Sequence, residues 1–317
     1  VVSLPLPTAA NAAPGVFIGA HKPLQTISDI LPSATRMNLK KAAPAGILCA
    51  ALFLGSAFAL DRTLPRPFRE FPGIEHDKGT VPIPPDYNQP SEWTFARLMY
   101  PGGWNDGYAA RGEMDWHEGG SLWTQDFPPA DRHFSLAVRR LTRISTHSVE
   151  QCVNLEDGDQ VYNFPWLYAV QVGEWGITNA QALKLRDYLL RGGFFMADDF
   201  HGTVEWGVFQ EAMQRVFPDR VLVDIPNEDA IFHTVYDLND RYQIVGAEHL
   251  AEGHKKDGYV ARWRGIYDDK GRLMVAASFN SDIGDSWEWA DSPEYPEKYS
   301  ALGIRVGVNY IVYAMTH

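Results

Sequence analysis

Two carboxylates, an aromatic, an imidazole and a glycine follow one another in Asp198-Asp199-Phe200-His201-Gly202. Oxygen and nitrogen donors this close together can chelate a hard or borderline cation, or divide general acid and base work between them. The same residues also have a structural use, in which one aspartate caps the following helix, the other is solvated and His201 bonds a backbone carbonyl. A second acidic stretch is Asn280-Ser281-Asp282-Ile283-Gly284-Asp285-Ser286-Trp287-Glu288. Asp282, Asp285 and Glu288 recur at every third position, so a helical turn puts them on one face, where like charges repel unless a cation or solvent screens them. An EF-hand needs ligands at alternate positions and a closing Glu at the twelfth, which this spacing lacks, and a solvated turn is the alternative. A third stretch, Tyr100-Pro101-Gly102-Gly103-Trp104-Asn105-Asp106, is followed by Asp115-Trp116-His117-Glu118-Gly119-Gly120. Its glycines let the backbone approach a ligand, and Trp104 and Trp116 either stack on a flat or sugar-like face or pack onto the domain.

Roles follow from these types. Asp199 and His201 are the candidate acid and base. Asp198, Asp199, His201, Asp282 and Asp285 are the candidate ligands of a divalent cation. Tyr100, Trp104, Asp198, Asn280 and Trp287 are the candidate contacts to a small polar or carbohydrate-like ligand, with Tyr100 and Trp104 expected on the rim. There is no G-x-S-x-G elbow, P-loop, H-E-x-x-H or G-x-G-x-x-G, which removes the mechanisms those motifs carry. His133, His147, His233, His249 and His254 are scattered singly and read as surface or core residues.

All three stretches follow apolar runs that read as strands. Trp93–Tyr100 is strand-like and Pro101-Gly102-Gly103 ends it. A helix is expected over 131–143 from the spacing of Phe134, Val138 and Leu141. Phe164–Val172 is a second strand. Thr178-Asn179 then caps a helix through Leu183, Leu185, Tyr188 and Leu189, which Gly192-Gly193 closes. Phe194–Ala197 is a short, wholly apolar strand of the kind buried on both faces, so strand, helix and strand make a parallel βαβ unit. Val204–Phe217 is helical, Arg220–Ile225 strand-like, and Tyr259–Tyr267 with Arg272–Phe279 form a hairpin about Asp268-Asp269-Lys270-Gly271. A last helix is expected over 298–315. One α/β domain over 93–317, mostly parallel with an antiparallel hairpin, fits this order, and such sheets receive ligands outside the carboxyl ends of their strands.

Ahead of it, Leu60–Glu92 carries seven prolines and reads as an extended arm. Met37-Asn38-Leu39-Lys40-Lys41, an Ala/Leu/Phe run and Ala57-Phe58-Ala59 have the three parts of a secretory signal. The alternative is an uncleaved anchor, since the apolar run is just long enough to span a bilayer. Residues 1–36 read as an extension upstream of that signal. Cleavage after Ala59 removes four basic residues against one acid and takes the net charge from −12 to −15. That acidity argues against nucleic acid and anionic membrane surfaces as partners. The two cysteines are Cys49, inside the signal, and Cys152, which has no basic neighbour in sequence and reads as a buried structural thiol.

The residues from about Thr94 to Ala314 resemble a DUF4159 domain, a bacterial family of uncharacterised activity. The resemblance rests on R-L-M-Y-P at Arg97–Pro101, G-G-F-F-M-A-D-D-F-H-G at Gly192–Gly202, N-x-D-I-G-D-x-W-E at Asn280–Glu288 and G-x-N-Y-I-V-Y-A at Gly307–Ala314. It implies a fold similar to the class I glutamine amidotransferases, a flavodoxin-like three-layer α/β sandwich. Such enzymes keep a cysteine on a sharp turn after a central strand, and no Cys follows any expected strand here.

Together these readings describe an exported, acidic α/β protein that binds a small polar or carbohydrate-like ligand, with or without a divalent cation. A hydrolase using Asp199 and His201 is the alternative activity. An envelope module whose acids only cap helices is the alternative without chemistry.

Overall fold

Buried runs such as Phe194–Ala197 and Leu273–Phe279 form the centre of one sheet, and the longer amphipathic stretches between the strands cover it. The computed structural model describes residues 67–103 and 115–317. In chain order the elements are β1 (Ala96–Met99), α1 (Pro129–Leu141), β2 (Gln151–Asn154), β3 (Trp166–Ala169), α2 (Asn179–Leu190), β4 (Phe194–Ala197), α3 (Gly202–Val216), β5 (Val223–Asp224), β6 (Arg262–Tyr267), β7 (Leu273–Phe279), α4 (Ile283–Glu288) and α5 (Glu297–Thr316). The sheet runs β2-β1-β3-β4-β7-β6-β5. Its first five strands are parallel, whereas β6 pairs antiparallel with β7 and β5 with β6. The parallel part has the flavodoxin-type order, with β7 in the fifth place.

Strand alternation sorts the core into two layers. Phe195 and Ala197 of β4 pack with Leu185 and Leu189 of α2 and Phe209 and Met213 of α3. Phe194 and Met196 face the other way, with Phe134 and Val138 of α1, Trp287 of α4 and Val306 and Tyr310 of α5. The result is a three-layer α/β fold.

Most expected elements are present, and the departures have physical reasons. Strand β2 was not expected, because Gln151-Cys152-Val153-Asn154 alternates poorly. It exists through its parallel register with β1, Ala96 to Gln151 through Met99 to Asn154. Cys152 therefore sits in a strand, buried, and burial pushes its thiol well above the ordinary range. The strand expected over Arg220–Ile225 shrinks to two exposed residues at the sheet edge. Leu141 and Leu183 continue an apolar spacing but stay exposed. In the arm, residues 67–92 hold no helix or strand and are anchored by Phe71, edge-on to Trp123 at 5.4 Å. The expected signal and upstream extension lie outside the described residues. Among the described residues no helix is long and apolar enough to cross a membrane.

A fully buried charged pair lies inside this core. Arg97 points from β1 onto α1, where its Nε is 2.8 and 3.1 Å from the Asp131 oxygens and its Nη1 donates to the carbonyls of Trp123 and Gln125, each at 3.0 Å. Removing one partner strands a buried charge. Asp131→Ala is expected to cost about 3–5 kcal/mol in urea unfolding, whereas Leu183→Ala on the exposed face of α2 should stay within about 0.5 kcal/mol.

Candidate functional site

The carboxyl ends of β1, β3, β4 and β7 open on one side of the sheet, and the segments that follow them meet there. After β4 the chain must turn at once into α3. Asp199 makes that turn with a left-handed backbone, φ 45°. Asp198 N–H still donates to Ala169 O at 3.0 Å, so Asp198 is held in the sheet pairing. Its Oδ2 accepts from Tyr168 OH at 3.1 Å, Ile283 N at 2.9 Å and Gly284 N at 2.8 Å. Asp198 thus caps α4, a helix remote in sequence, whereas the expectation was that one of the two aspartates caps the helix that follows them. Burial and the neighbouring Asp199 charge push Asp198 up to about 8.

Asp199 has the opposite balance. Its Oδ1 is 2.8 Å from His201 Nε2 and 3.0 Å from Lys255 Nζ, and its Oδ2 accepts from Gln171 Nε2 at 2.6 Å. Burial alone raises its pKa, but the Lys255 ammonium and the His201 bond outweigh that and hold it below the usual carboxylate range. Burial lowers His201 despite its carboxylate partner, so the ring is neutral. Since Asp199 stays ionised, His201 Nε2 carries the proton and Nδ1 is bare. That Nδ1 is buried without a hydrogen-bond partner.

The segment before β6 closes over this centre. Lys256 pairs with Glu205 and with Glu174, and Asp257 accepts from Thr203 N at 2.9 Å and Thr203 Oγ1 at 2.8 Å. Burial raises Glu205 to about 7. Asn280, after β7, has φ 64° and bridges the two loops, its Oδ1 accepting from Gly202 N at 2.9 Å and its Nδ2 donating to Val260 O at 2.7 Å.

Two expected ligand contacts are placed otherwise. Tyr100 is buried, not on a rim; its hydroxyl donates to Val170 O at 2.5 Å and its ring meets Trp175 edge-on. Trp287 is fully buried and stacks on Phe134 at 4.1 Å, because the helical turn that aligns the acids turns it into the core. Trp104 lies outside the described residues. Trp116 stacks on His117 at 3.7 Å.

The second acidic stretch becomes α4. Asp282 is its N-cap, Oδ1 accepting from Asp285 N at 3.0 Å, and Asp285 Oδ2 accepts from Ala247 N at 2.6 Å. Burial raises Asp285 to about 6 and Glu288 to about 9, with neighbouring carboxylates adding to both. Three groups have ligand atoms within 4.8 Å of one another: Asp199, His201 and Asp282; Asp126, Asp282 and Asp285; and Glu75, His76 and Glu288. The candidate acids therefore do converge, and the sequence reading missed Asp126, Lys255, Gln171, Glu205, Glu75 and His76. The adjacent Lys255 and Lys256 in a polar loop were the one available signal for the counter-charges. Asp126 sits in a proline-rich run that carries no motif.

A doubly wound α/β domain with a buried acidic centre at the carboxyl end of its sheet is the class that fold and geometry define. The chain belongs to the family described as Domain of unknown function (DUF4159), which matches residues 112–315. That span holds the second, third and fourth motifs and begins after Arg97–Pro101. No curated protein matches the chain.

The raised carboxyls have a measurable consequence. Asp198 ordinarily titrates at 3.8 and here at about 8, so the folded chain keeps a proton that the unfolded chain has released. Its contribution is complete at low pH and disappears as pH rises through the folded value, so stability falls over that window. Asp198→Asn keeps an acceptor for the two α4 N–H groups and does not titrate. In chelator, its thermal midpoint should gain on the wild type between about pH 5 and pH 8, by on the order of 1–3 kcal/mol in stability; parallel curves would refute the assignment.

Proposed function

We propose that this protein binds a small polar ligand of the carbohydrate class at the carboxyl end of its sheet, with Asp199, His201 and Lys255 as the recognising groups. The observation that carries this is backbone strain. Among the described residues the five non-glycine positions with left-handed φ are Asp126, Gln171, Asp199, Lys256 and Asn280, and all five belong to this one locality. Such residues are costly and gather where a site must be held in shape. The Lys255 ammonium as donor beside acceptors on Asp199, Asp282 and the bare His201 Nδ1 suits a polyhydroxyl ligand, which offers both kinds of group at close spacing.

His201 supports a second reading. An imidazole held neutral, oriented by a carboxylate and bare at Nδ1 has the properties of a general base. On this reading the ligand is an ester or glycoside that is hydrolysed. The basic, apolar and Ala57-Phe58-Ala59 segments support export, so the domain would meet such ligands outside the cytoplasm.

A thermal-shift panel of monosaccharides, uronic and amino sugars, polyols and sugar phosphates tests the binding reading. One class should raise the midpoint saturably, and Asp199→Asn and Lys255→Met should abolish that shift while the circular dichroism spectrum stays native. A panel without any shift at millimolar concentration sinks it. Turnover of a chromogenic ester or glycoside, lost by 100-fold or more in His201→Ala, would select hydrolysis over binding alone.

A further inference from the structure

We propose that Asp126, Asp282 and Asp285 hold a hard divalent cation, of the Ca²⁺ or Mg²⁺ kind, beside the Asp199–His201 centre. The three acids come from two separate segments. Asp126 follows the 3-10 turn Leu122–Thr124 and directly precedes α1, while Asp282 and Asp285 are the N-cap and first turn of α4. One oxygen from each lies within 4.8 Å of the other two. Oxygens bound to one Ca²⁺ at 2.3–2.6 Å can be at most about 5 Å apart, so the spacing already matches a shared ion.

Asp126 provides the independent sign of a ligand. It is 1% exposed, and its Oδ2 is buried without a hydrogen-bond partner. That oxygen lies against Gly284, between Asp282 and Asp285 in the chain: a Cβ on Gly284 would come within 2.1 Å of it. An unsatisfied buried carboxylate oxygen costs free energy unless a proton or a cation answers it. Asp126 is fixed in place by its left-handed backbone, φ 60°, and by its N–H, which donates to Glu75 Oε2 at 3.2 Å.

A second glycine lies against Asp282 and Asp285. A Cβ on Gly246 would lie 2.5 Å from Asp282 Oδ2 and 2.8 Å from Asp285 Oδ2. Gly246 has φ −61°, which any residue adopts, so glycine is needed there for room and not for conformation. The described bases nearby are engaged elsewhere, Lys255 with Asp199, Arg97 with Asp131 and His76 with Glu288. The oxygen-only donor set favours a hard ion over zinc. The sequence reading expected a cation on Asp198, Asp199, His201, Asp282 and Asp285. Asp198 Oδ2 is filled by Tyr168 OH and the α4 N–H groups, and its Oδ1, though unpartnered, joins none of the converging groups among the described residues; Asp199 already has Lys255 as its counter-ion, which moves the ion to the other side of Asp282.

The proposal shares only Asp282 with the ligand reading above, and the variants at Asp126 and Gly246 on one side and at Asp199 and Lys255 on the other let the two fail separately. After exhaustive chelation, the whole protein is titrated with Ca²⁺, Mg²⁺ and Zn²⁺ by calorimetry and thermal melting, and with Tb³⁺ by luminescence sensitised through buried Trp287. Ca²⁺ or Mg²⁺ should bind at one equivalent and raise the midpoint by roughly 5–10 °C at a hundredfold excess over Kd. Tb³⁺ emission should appear and be displaced by the same ion. Asp126→Asn and Gly246→Ala should each lose the response by 100-fold or more in affinity, while Asp199→Asn keeps it. The Tb³⁺ arm needs only the wild-type chain and decides the matter if the variants do not fold. Absence of saturable binding to millimolar concentration, a response retained in Asp126→Asn, or binding of Zn²⁺ alone with loss in Asp199→Asn would each overturn the assignment.

Discussion

One carboxylate oxygen holds the functional end of this domain together. Asp198 Oδ2 receives Tyr168 OH from β3 and the N–H groups of Ile283 and Gly284 from α4, while its own backbone is paired with Ala169. Two central strands and the helix that carries Asp282 and Asp285 are thereby fixed at a single point. The bond satisfies two of the N–H groups that open a helix, which have no partner of their own kind. It also requires an acid at the end of a fully buried strand. Once Asp198 is there, the turn that follows must be tight, and Asp199 takes a left-handed backbone to make it.

The charges around that point are balanced in two different ways. Toward the β6 side, acids have bases: Asp199 has Lys255, and Glu205 has Lys256. Toward α4, Asp126, Asp282 and Asp285 face one another, and no Lys or Arg forms an ion pair with them among the described residues. Deep in a protein, each such repulsion is several times what it is in water. A fold tolerates that arrangement when protons are retained or when a cation enters, and the glycines at 246 and 284 leave the room a cation would need. Lys255 therefore marks a boundary. On its side Asp199 and Glu205 each have a base, and beyond Asp282 the acids face each other without one.

The sequence exposed the sheet better than the site. Phe194–Ala197 was legible to the residue because a wholly apolar run between Gly193 and Asp198 leaves only one strand to draw. The acidic turn after it was legible for the same reason, since polar residues directly after a buried strand stand out. What escaped depended on distant pairing. Gln151–Asn154 has no alternation of its own and becomes a strand only beside β1. The role of Asp198 was hidden because its partners are 85 and 86 residues away. Trp287 had the look of a ligand contact, but the three-residue spacing that puts Asp282 and Asp285 together also turns Trp287 onto Phe134.

The arm shows where the working domain begins. Its prolines argue for an extended strap, and residues 67–92 are one, yet they also form a wall of the site. Gly73 packs so closely that a Cβ would meet Phe127 O at 2.6 Å, and its N–H closes a turn on His76 O at 2.8 Å. That turn presents Glu75 to Gln125 and Asp126 and His76 to Glu288, the last at 2.5 Å. The family segment, 112–315, contains Asp126, Asp199, His201, Asp282 and Asp285 but neither Glu75 nor His76. The acids at the strand ends and on α4 are therefore internal to the family segment, whereas the side of the acidic cluster nearest Glu288 is closed by residues ahead of it. A domain boundary drawn at the first strand would leave Glu288 without its imidazole and Asp126 N–H without its acceptor.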